Sequence, residues 1–336
     1  MSDLGPVFLT GATGFVGAAV ARALLARGYR VRALTRAQSP RDNIAGLAVE
    51  TVTGDLTNPE SLARGVAGCR HVFHIAADYR LWVPDPETMM RINVEGTRAL
   101  MSAARAAGVQ RIVYCSSVAA LGHTADGSPA DETTPVSEAE IVGPYKRSKY
   151  RAEQAVLAMV REEGLPAVIV NPSTPVGPRD IKPTPTGRMI LDAAAGRMPG
   201  YLETGLNIVH VEDVAEGHLL ALERGVIGER YILGGENFSL GDLFALIARR
   251  AGTRPPRFKL SEAALWPVAL AAEGAARLFG ITPLVTREHL RMARTPMYFS
   301  SAKAMAALGY RPRPAEEAIA GAIAWFRAQG RLRAAA

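Results

Sequence analysis

Cysteine is scarce in this chain: Cys69 and Cys115 are the two present among 336 residues. Two thiols leave no room for a disulfide framework and fit a reducing compartment, so a cytoplasmic protein is expected. Aromatic residues make up only 6%, and no block of like charge interrupts the chain. The net charge is +7, yet the arginines are spread along the whole length. That argues against a nucleic-acid surface and for a solvated, Ala/Arg-rich exterior. No uninterrupted apolar run reaches membrane-spanning length. The nearest, "AALWPVALAAEGAARLFG", is broken by Pro267, Glu273 and Arg277. It is expected to pack as a helix, with a weak membrane-surface contact as the alternative. The opening "MSDLGPVFLTG" runs directly into a strand-like segment, so no signal peptide is expected. No metal site is expected either.

Apolar content is ample. Hydrophobic residues reach 48%, enough for a substantial core and, at this length, for one large domain with a second lobe. Short apolar runs alternate with helix-like stretches. "PVFLT", "YRVRAL", "AVETV", "HVFHIA", "RIVYCS" and "PAVIVN" read as strands, and helices are expected near 86–107 and 143–163. This alternation predicts an α/β fold, a Rossmann-type doubly wound parallel sheet whose ligands bind beyond the carboxyl ends of the strands. The pattern breaks at "NPSTPVGPRDIKPTPTG", then returns to the sheet near Ile208 and Glu229. Residues 1–175 and 208–235 are therefore expected to form the nucleotide-binding domain. A smaller, mostly helical substrate lobe takes 176–207 and 236–336, with the final "RLRAAA" frayed.

Three glycines, Gly11, Gly14 and Gly17, stand three apart between the first strand and a helix carrying Val16, Val20 and Leu24 on one face. Glycine permits a tight turn and close backbone approach to phosphate, and the helix N-terminus adds partial positive charge. A dinucleotide pyrophosphate site is expected. At the end of the second strand, an acid would read the ribose 2′-OH of NAD, and an arginine the 2′-phosphate of NADP. Thr35 and Arg36 stand there, with Arg41 nearby and no acid before Asp42. NADP(H) is favoured and NAD(H) left open.

Chemistry is suggested by "YKRSK". Tyr145 and Lys149, four apart, share a helix face. A nearby ammonium is expected to lower the phenol's pKa and fit it for proton exchange with a carbonyl or alcohol oxygen. Ser116 and Ser117 follow the "RIVYC" strand and offer a hydroxyl to hold that oxygen. A nicotinamide supplies the hydride partner.

With "TGATGFVG", "GDLTNPESL", "FHIAAD", "NVEGT", "VYCSSVAALG", "YKRSK", "VIVNPSTPVGP" and "VHVEDVAEGH", the chain resembles an extended short-chain dehydrogenase/reductase of the NAD(P)-dependent epimerase/dehydratase superfamily. Within it the nearest kin are hopanoid-associated sugar epimerases and dihydroflavonol-4-reductase-like proteins. The resemblance implies that Gly11, Gly14 and Gly17, with Thr13, Phe15 and Val16, hold the pyrophosphate. Asp55 and Leu56 would border the adenine, and Ala76 and Ala77 would lie along the cofactor. Ser117, Tyr145 and Lys149 would form the triad, Lys149 also holding the nicotinamide ribose, and Pro172, Ser173 and Thr174 would flank the nicotinamide. Asn93 reads as structural. Val118 and Ala119 replace the Asp-Glu pair of sugar dehydratases, which disfavours dehydration, and "ALG" replaces the "VYG" of classical nucleotide-sugar epimerases.

Substrate contacts are sought in Tyr79, Arg80 and Trp82 after the fourth strand, in His123 and His210 near sheet-end loops, and in Arg188, Met189 and Tyr201 of the smaller lobe. A small-molecule reductase is expected, with a cofactor-retaining sugar epimerase as the alternative and a non-catalytic nucleotide sensor as a distant third. A homodimer is implied through the helices near 87–107 and 144–163, for which Ala99, Met101, Ala104, Ala152, Val156 and Met159 would supply a second apolar face.

Overall fold

β-Branched and aliphatic runs too short for helices become strands when both of their faces are covered. The computed structural model describes residues 5–332 except 81, 84, 280, 282 and 284. Its central sheet is built from β1 (Pro6–Thr10), β2 (Arg30–Thr35), β3 (Val49–Thr53), β4 (His71–His74), β5 (Arg111–Cys115), β6 (Ala167–Pro172) and β10 (Arg230–Leu233). The spatial order is β10-β6-β5-β4-β1-β2-β3, and every pairing is parallel. The chain moves outward in one direction from β1 and in the other from β4. The crevice beyond the carboxyl ends of these two strands is thus the topological switch point.

Period-two alternation splits each strand between two cores. Val7 and Leu9 join Val20 and Leu24 of α1 (Phe15–Ala26) and Leu219 of α7 (Val211–Arg224) on one face. Phe8, Ile112 and Tyr114 face the opposite way, onto α2 (Pro59–Val66), α4 (Gly96–Ala106) and α5 (Pro144–Glu163). Asn58 caps α2 by accepting from the Ser61 N–H at 3.0 Å. A short α3 (Pro86–Met90) runs into α4 through a π-helical segment, Arg91–Glu95.

The remaining elements form the smaller lobe and its supports. They are β7 (Thr174–Val176), α6 (Pro185–Ala194), β8 (Gly200–Leu202), β9 (Gly205–His210), β11 (Glu236–Ser239), α8 (Leu240–Ala251), β12 (Phe258–Leu260), α9 (Glu262–Phe279), α10 (Arg287–Met292), α11 (Ala302–Leu308) and α12 (Ala315–Ala328). Ile190, Phe244, Ile319 and Phe326 of α6, α8 and α12 make a separate core. Two expectations change here. Ile208–His210 do not rejoin the large sheet: β9 pairs with β7 and β11 in a three-stranded sheet, and α7 and β10 make the return instead. Residues offered as a second helix face for dimerisation are already used within one chain. Met101, Ala104, Ala152, Val156 and Met159 lie in the core beneath α4 and α5, and only Ala99 is partly open. These two helices cover each other as well as the sheet, which absorbs the wider apolar stripe. Among the described residues no helix is long and apolar enough to cross a membrane. The end of the tail, residues 333–336, lies outside them.

Gly17, in the first turn of α1, is packed backbone to backbone: a Cβ there would overlap the Gly11 carbonyl. No side-chain rotation relieves such a clash, so Gly17→Ala is expected to lower stability by about 1–3 kcal/mol. Urea unfolding of the variant beside wild type checks this; an unchanged midpoint would contradict the close packing.

Candidate active site

The glycine turn opens directly onto the switch-point crevice. Gly11 adopts φ +78°, and a Cβ on it would stand 2.7 Å from the Ala76 nitrogen beyond β4. Only glycine brings β1 and the β4 loop this close. Gly14 caps α1 with extended backbone and donates its N–H to the Gly11 carbonyl at 2.9 Å. No side chain caps that helix end, so its free N–H groups face outward beside Phe15 and Val16, both partly exposed. Asn43 steadies the turn from outside by donating to the Thr13 carbonyl at 3.2 Å.

Polar groups left unpaired mark the same edge. The Thr35 hydroxyl at the end of β2 and the Ser173 hydroxyl just past Pro172 of β6 are buried with no partner among the described residues. Arg36 is exposed beside Thr35, and its charge helps hold Asp78, across the crevice, below the usual carboxylate range. There the Arg80 guanidinium is the main lowering influence, working against burial. A cradle that a Cβ would fill, an uncapped helix end and orphaned hydroxyls fit a polar, phosphate-bearing dinucleotide. Asp55 turns one oxygen onto Thr57, accepting from its N–H and hydroxyl at 2.9 and 2.7 Å, while Leu56 is buried under Gly96. Ala76 and Ala77 line the crevice floor, partly exposed.

From this turn a buried hydrogen-bond chain crosses to α5. Thr10 Oγ1 and His74 Nδ1 are 2.8 Å apart, and Thr10 Oγ1 accepts from the N–H groups of Ile75 and Ala76 at 3.1 and 3.2 Å. With its acceptor side filled, Thr10 donates to Nδ1. Thr97 donates to the Asn93 carbonyl at 2.6 Å, so its oxygen must accept from His74 Nε2 at 2.9 Å. His74 is therefore the neutral Nε2–H tautomer. Burial, with help from Lys149, drives its pKa down to about 3. Asn93 accepts from the Asp78 N–H at 2.7 Å and donates to the Asp78 carbonyl at 2.8 Å and to Ser148 Oγ at 2.9 Å. Ser148 then donates to the Tyr145 carbonyl at 2.8 Å. Asn93 sits inside the π-helical segment, which turns it and Thr97 inward together. Asn93 was expected to be structural, and His74, Thr97 and Ser148 were not singled out. Each looks like an ordinary core or helix residue until the fold brings them together.

Ser117, Tyr145 and Lys149 converge where β5 ends and α5 begins. Ser117 accepts the Ala119 N–H at 3.1 Å, which fixes its side chain at the mouth of a 3₁₀ turn. Its hydroxyl pulls the Tyr145 phenol pKa downward. Lys149 is buried, donates to the Cys115 carbonyl at 2.8 Å and stands 5.3 Å from the centroid of the Tyr114 ring. The expected lowering of the Tyr145 pKa by this ammonium is not what prevails. Burial pushes the phenol up to about 12, and only the Ser117 hydroxyl pulls the other way. Burial also pulls Lys149 down. Behind the triad, one turn beyond Lys149, the fully buried Glu153 accepts from Asn171 at 2.7 Å; Asn171 also donates to the Ser117 carbonyl at 3.0 Å. Arg230 lies 3.3 Å from the other Glu153 oxygen.

The residues proposed for substrate divide. Tyr79 is exposed at the crevice, and burial of its ring together with Asp180 and Asp78 raises its phenol pKa. His123 lies against Phe299, lines an open pocket with Thr124 and Pro135, and is pushed by burial and Lys146 to about 4. Its Nδ1 is buried without a partner among the described residues. Arg188 is instead held by Asp192 at 2.8 Å on α6, and Tyr201 packs edge-on against Phe244 of the lobe core. His210 caps α7 and meets Arg313.

Comparison with known proteins agrees with this geometry. The model of the NAD dependent epimerase/dehydratase family matches residues 7–234. A protein of Synechocystis sp. provisionally named dihydroflavonol 4-reductase is 44% identical over 330 residues, covering 96% of this chain and 95% of its own. Sterol demethylase protein B of Methylococcus capsulatus is 37% identical over 327 residues, covering 96% and 99%. The crystal structure of gox2253 superposes with a TM-score of 0.88 at 65% identity, covering 97% of this chain and 99% of that one. The chain belongs to the NAD dependent epimerase/dehydratase family, within the extended short-chain dehydrogenase/reductases. It is an NAD(P)-dependent oxidoreductase or epimerase.

The two fully buried histidines give stability a pH signature. His74 and His218 have folded-state pKa values of about 3 and about 4, against about 6.5 unfolded. Below pH 6.5 the unfolded chain takes up protons that the folded chain refuses. Their contribution to stability is complete above pH 6.5 and falls towards pH 4 by about 1.4 kcal/mol per pH unit for each histidine. His74→Phe removes one of these contributions, leaves the Thr10 hydroxyl proton without an acceptor and takes one donor from the Thr97 oxygen. A loss of about 1–3 kcal/mol at pH 7 is expected, with a shallower acid slope. Urea midpoints from pH 7 to pH 4.5 check both; parallel profiles would contradict the neutral-histidine assignment.

Proposed function

We propose that this chain is an NADP(H)-preferring reductase of apolar ketones or aldehydes, working through Ser117, Tyr145 and Lys149. The observation that carries the reading is the half-buried phenol of Tyr145, raised by burial to about 12, which shares a face of α5 with the buried ammonium of Lys149 at the end of β5 where Ser117 stands. A protonated phenol suits donation to a carbonyl oxygen. Ser117 holds that oxygen, and Tyr145 passes its proton to it. Lys149, fixed on the Cys115 carbonyl, supplies positive charge on the same helix face to stabilise the phenolate left behind.

Gly11, Thr13, Gly14, Phe15, Val16 and Gly17 would hold the cofactor diphosphate at the α1 N-terminus. Arg36 would meet a ribose 2′-phosphate, and Asp55 and Leu56 would border the adenine. Ala76, Ala77, Lys149, Pro172, Ser173 and Thr174 would line the nicotinamide end. When bound, the nicotinamide supplies the hydride for the carbonyl carbon. Exposed Arg36 with no acid at its strand end supports NADP(H). An apolar substrate is supported by sterol demethylase protein B, a relative named for sterol chemistry. Tyr79 and His123 would meet that substrate. Pairing of two chains through α4 and α5 keeps only the support of family resemblance.

The test is NADPH consumption over a panel of ketosteroids, flavanonols and long-chain ketones, beside nucleotide release from heat-denatured protein. Turnover without retained nucleotide is expected. Stoichiometric retained NAD(P)+ with no net consumption would favour the sugar-epimerase reading instead. With an active ketone in hand, Tyr145→Phe is expected to lower kcat by about 10²–10⁴-fold with little change in NADPH affinity. Arg36→Asp is expected to weaken NADPH far more than NADH. Fluorescence titration of both cofactors checks this, and a wild type that prefers NADH would overturn the role of Arg36.

A further inference from the structure

Helix α9 turns an apolar face outward that nothing among the described residues covers. Its inward side repeats at Ala269, Glu273 and Ala276 and packs on α10. Glu273 is closed off by Arg287 at 2.8 Å, and Trp266 is covered by the Arg291 guanidinium at 5.8 Å. The other side holds Val268, Leu270, Leu278 and Phe279, which are 54%, 53%, 80% and 75% exposed, with Ile281 at 54% just beyond the helix. Ala263, Ala264, Pro267 and Ala271 fill the rest of that surface, and between Glu262 and Glu273 it bears no charge. Phe258, on the strand that leads into the helix, is 67% exposed. A continuous patch of large apolar side chains of this kind marks a contact surface.

Charge narrows the occupant. Residues 252–294 hold seven Lys/Arg against three Asp/Glu, a net excess of four in a chain whose total is +7. Lys259, Arg287 and Arg294 are each paired with a glutamate at 2.7, 2.8 and 2.6 Å. Arg254, Arg257 and Arg291 enter no ion pair among the described residues. Arg254 and Arg257 flank Pro255 and Pro256 immediately before the exposed Phe258. A second copy of this basic patch would bring like charges together, whereas an anionic bilayer meets both its apolar face and its unpaired arginines. The helix is too short and too interrupted to span, so it lies on the surface.

We propose that α9 and the Arg254–Phe258 segment form a peripheral membrane-binding face for anionic phospholipid. This inference does not depend on the reductase reading, since it concerns a different surface and is measured without turnover. The experiment is sedimentation of the full chain with vesicles of phosphatidylcholine alone or mixed with phosphatidylglycerol. Binding to the mixed vesicles, weak binding to the neutral ones, and loss of binding as salt rises are expected. Val268→Glu with Leu270→Glu should weaken partitioning by about tenfold or more. Arg254→Ala with Arg257→Ala should weaken it several-fold while leaving the apolar face intact. Unchanged cofactor titration in both variants confirms that they are folded. The proposal is overturned if wild type ignores phosphatidylglycerol vesicles or if the double glutamate variant binds them equally well. It is also overturned if that variant converts a wild-type dimer to monomer in sedimentation velocity, because a second chain would then be the occupant.

Discussion

The geometry of the active edge rests on one buried hydrogen-bond chain, from Thr10 through His74, Thr97, Asn93 and Ser148 to the Tyr145 backbone. A parallel sheet aligns its strand ends, but it does not by itself set the distance between the cofactor turn and a helix two strands away. That spacing is fixed here by polar groups in a low-dielectric interior, where each unmade bond is expensive and the fully paired arrangement is rigid. The glycine turn and α5 are therefore tied together through the core. Asn93 is the hub, since it also takes both polar groups of the Asp78 backbone and so fixes the loop that carries Tyr79 into the crevice.

A second polar cluster braces Ser117 and α5 from behind. Glu153, Asn171 and Arg230 tie β6, β10 and α5 to the Ser117 backbone. Arg230 also donates to the Glu132 carbonyl, and a Glu132 carboxylate oxygen accepts the Ile232 N–H at 2.7 Å. A lone buried carboxylate would be costly. Burial raises the Glu153 pKa, while the Asn171 and Arg230 contacts resist that rise. Tyr145, Lys149 and Glu153 follow each other at four-residue steps, so one face of one helix carries all three.

Much of this was legible in the order of residues. Strand positions follow from short β-branched runs, and the pyrophosphate turn from three glycines whose missing side chains correspond to real backbone contacts. The Tyr145–Lys149 face follows from helical spacing alone. What was not legible depends on contacts between distant segments. His74 lies in an apolar run and is indistinguishable there from a packing residue, because its partners Thr10 and Thr97 come from other elements. Ile208 looked like a strand of the large sheet because local pattern does not say which sheet a strand joins. The lowered Tyr145 pKa was argued from proximity to Lys149, and burial, which spacing does not report, outweighed it. Ala152 and Val156 suggested a free helix face because the α4 side that covers them cannot be read from α5.

The hydrogen-bond chain has a sense of direction. Thr10 donates to His74, His74 to Thr97, Thr97 to the Asn93 carbonyl, the Asn93 amide to Ser148, and Ser148 to the Tyr145 carbonyl. Two backbone N–H groups on Thr10 lock the starting point. Such a chain orients dipoles but does not conduct: hopping of a proton along it would require His74 to hold two protons at once, and its site suppresses that form until about pH 3. The chain ends on the Tyr145 backbone carbonyl and not on its phenol, so it positions that residue without offering it a proton.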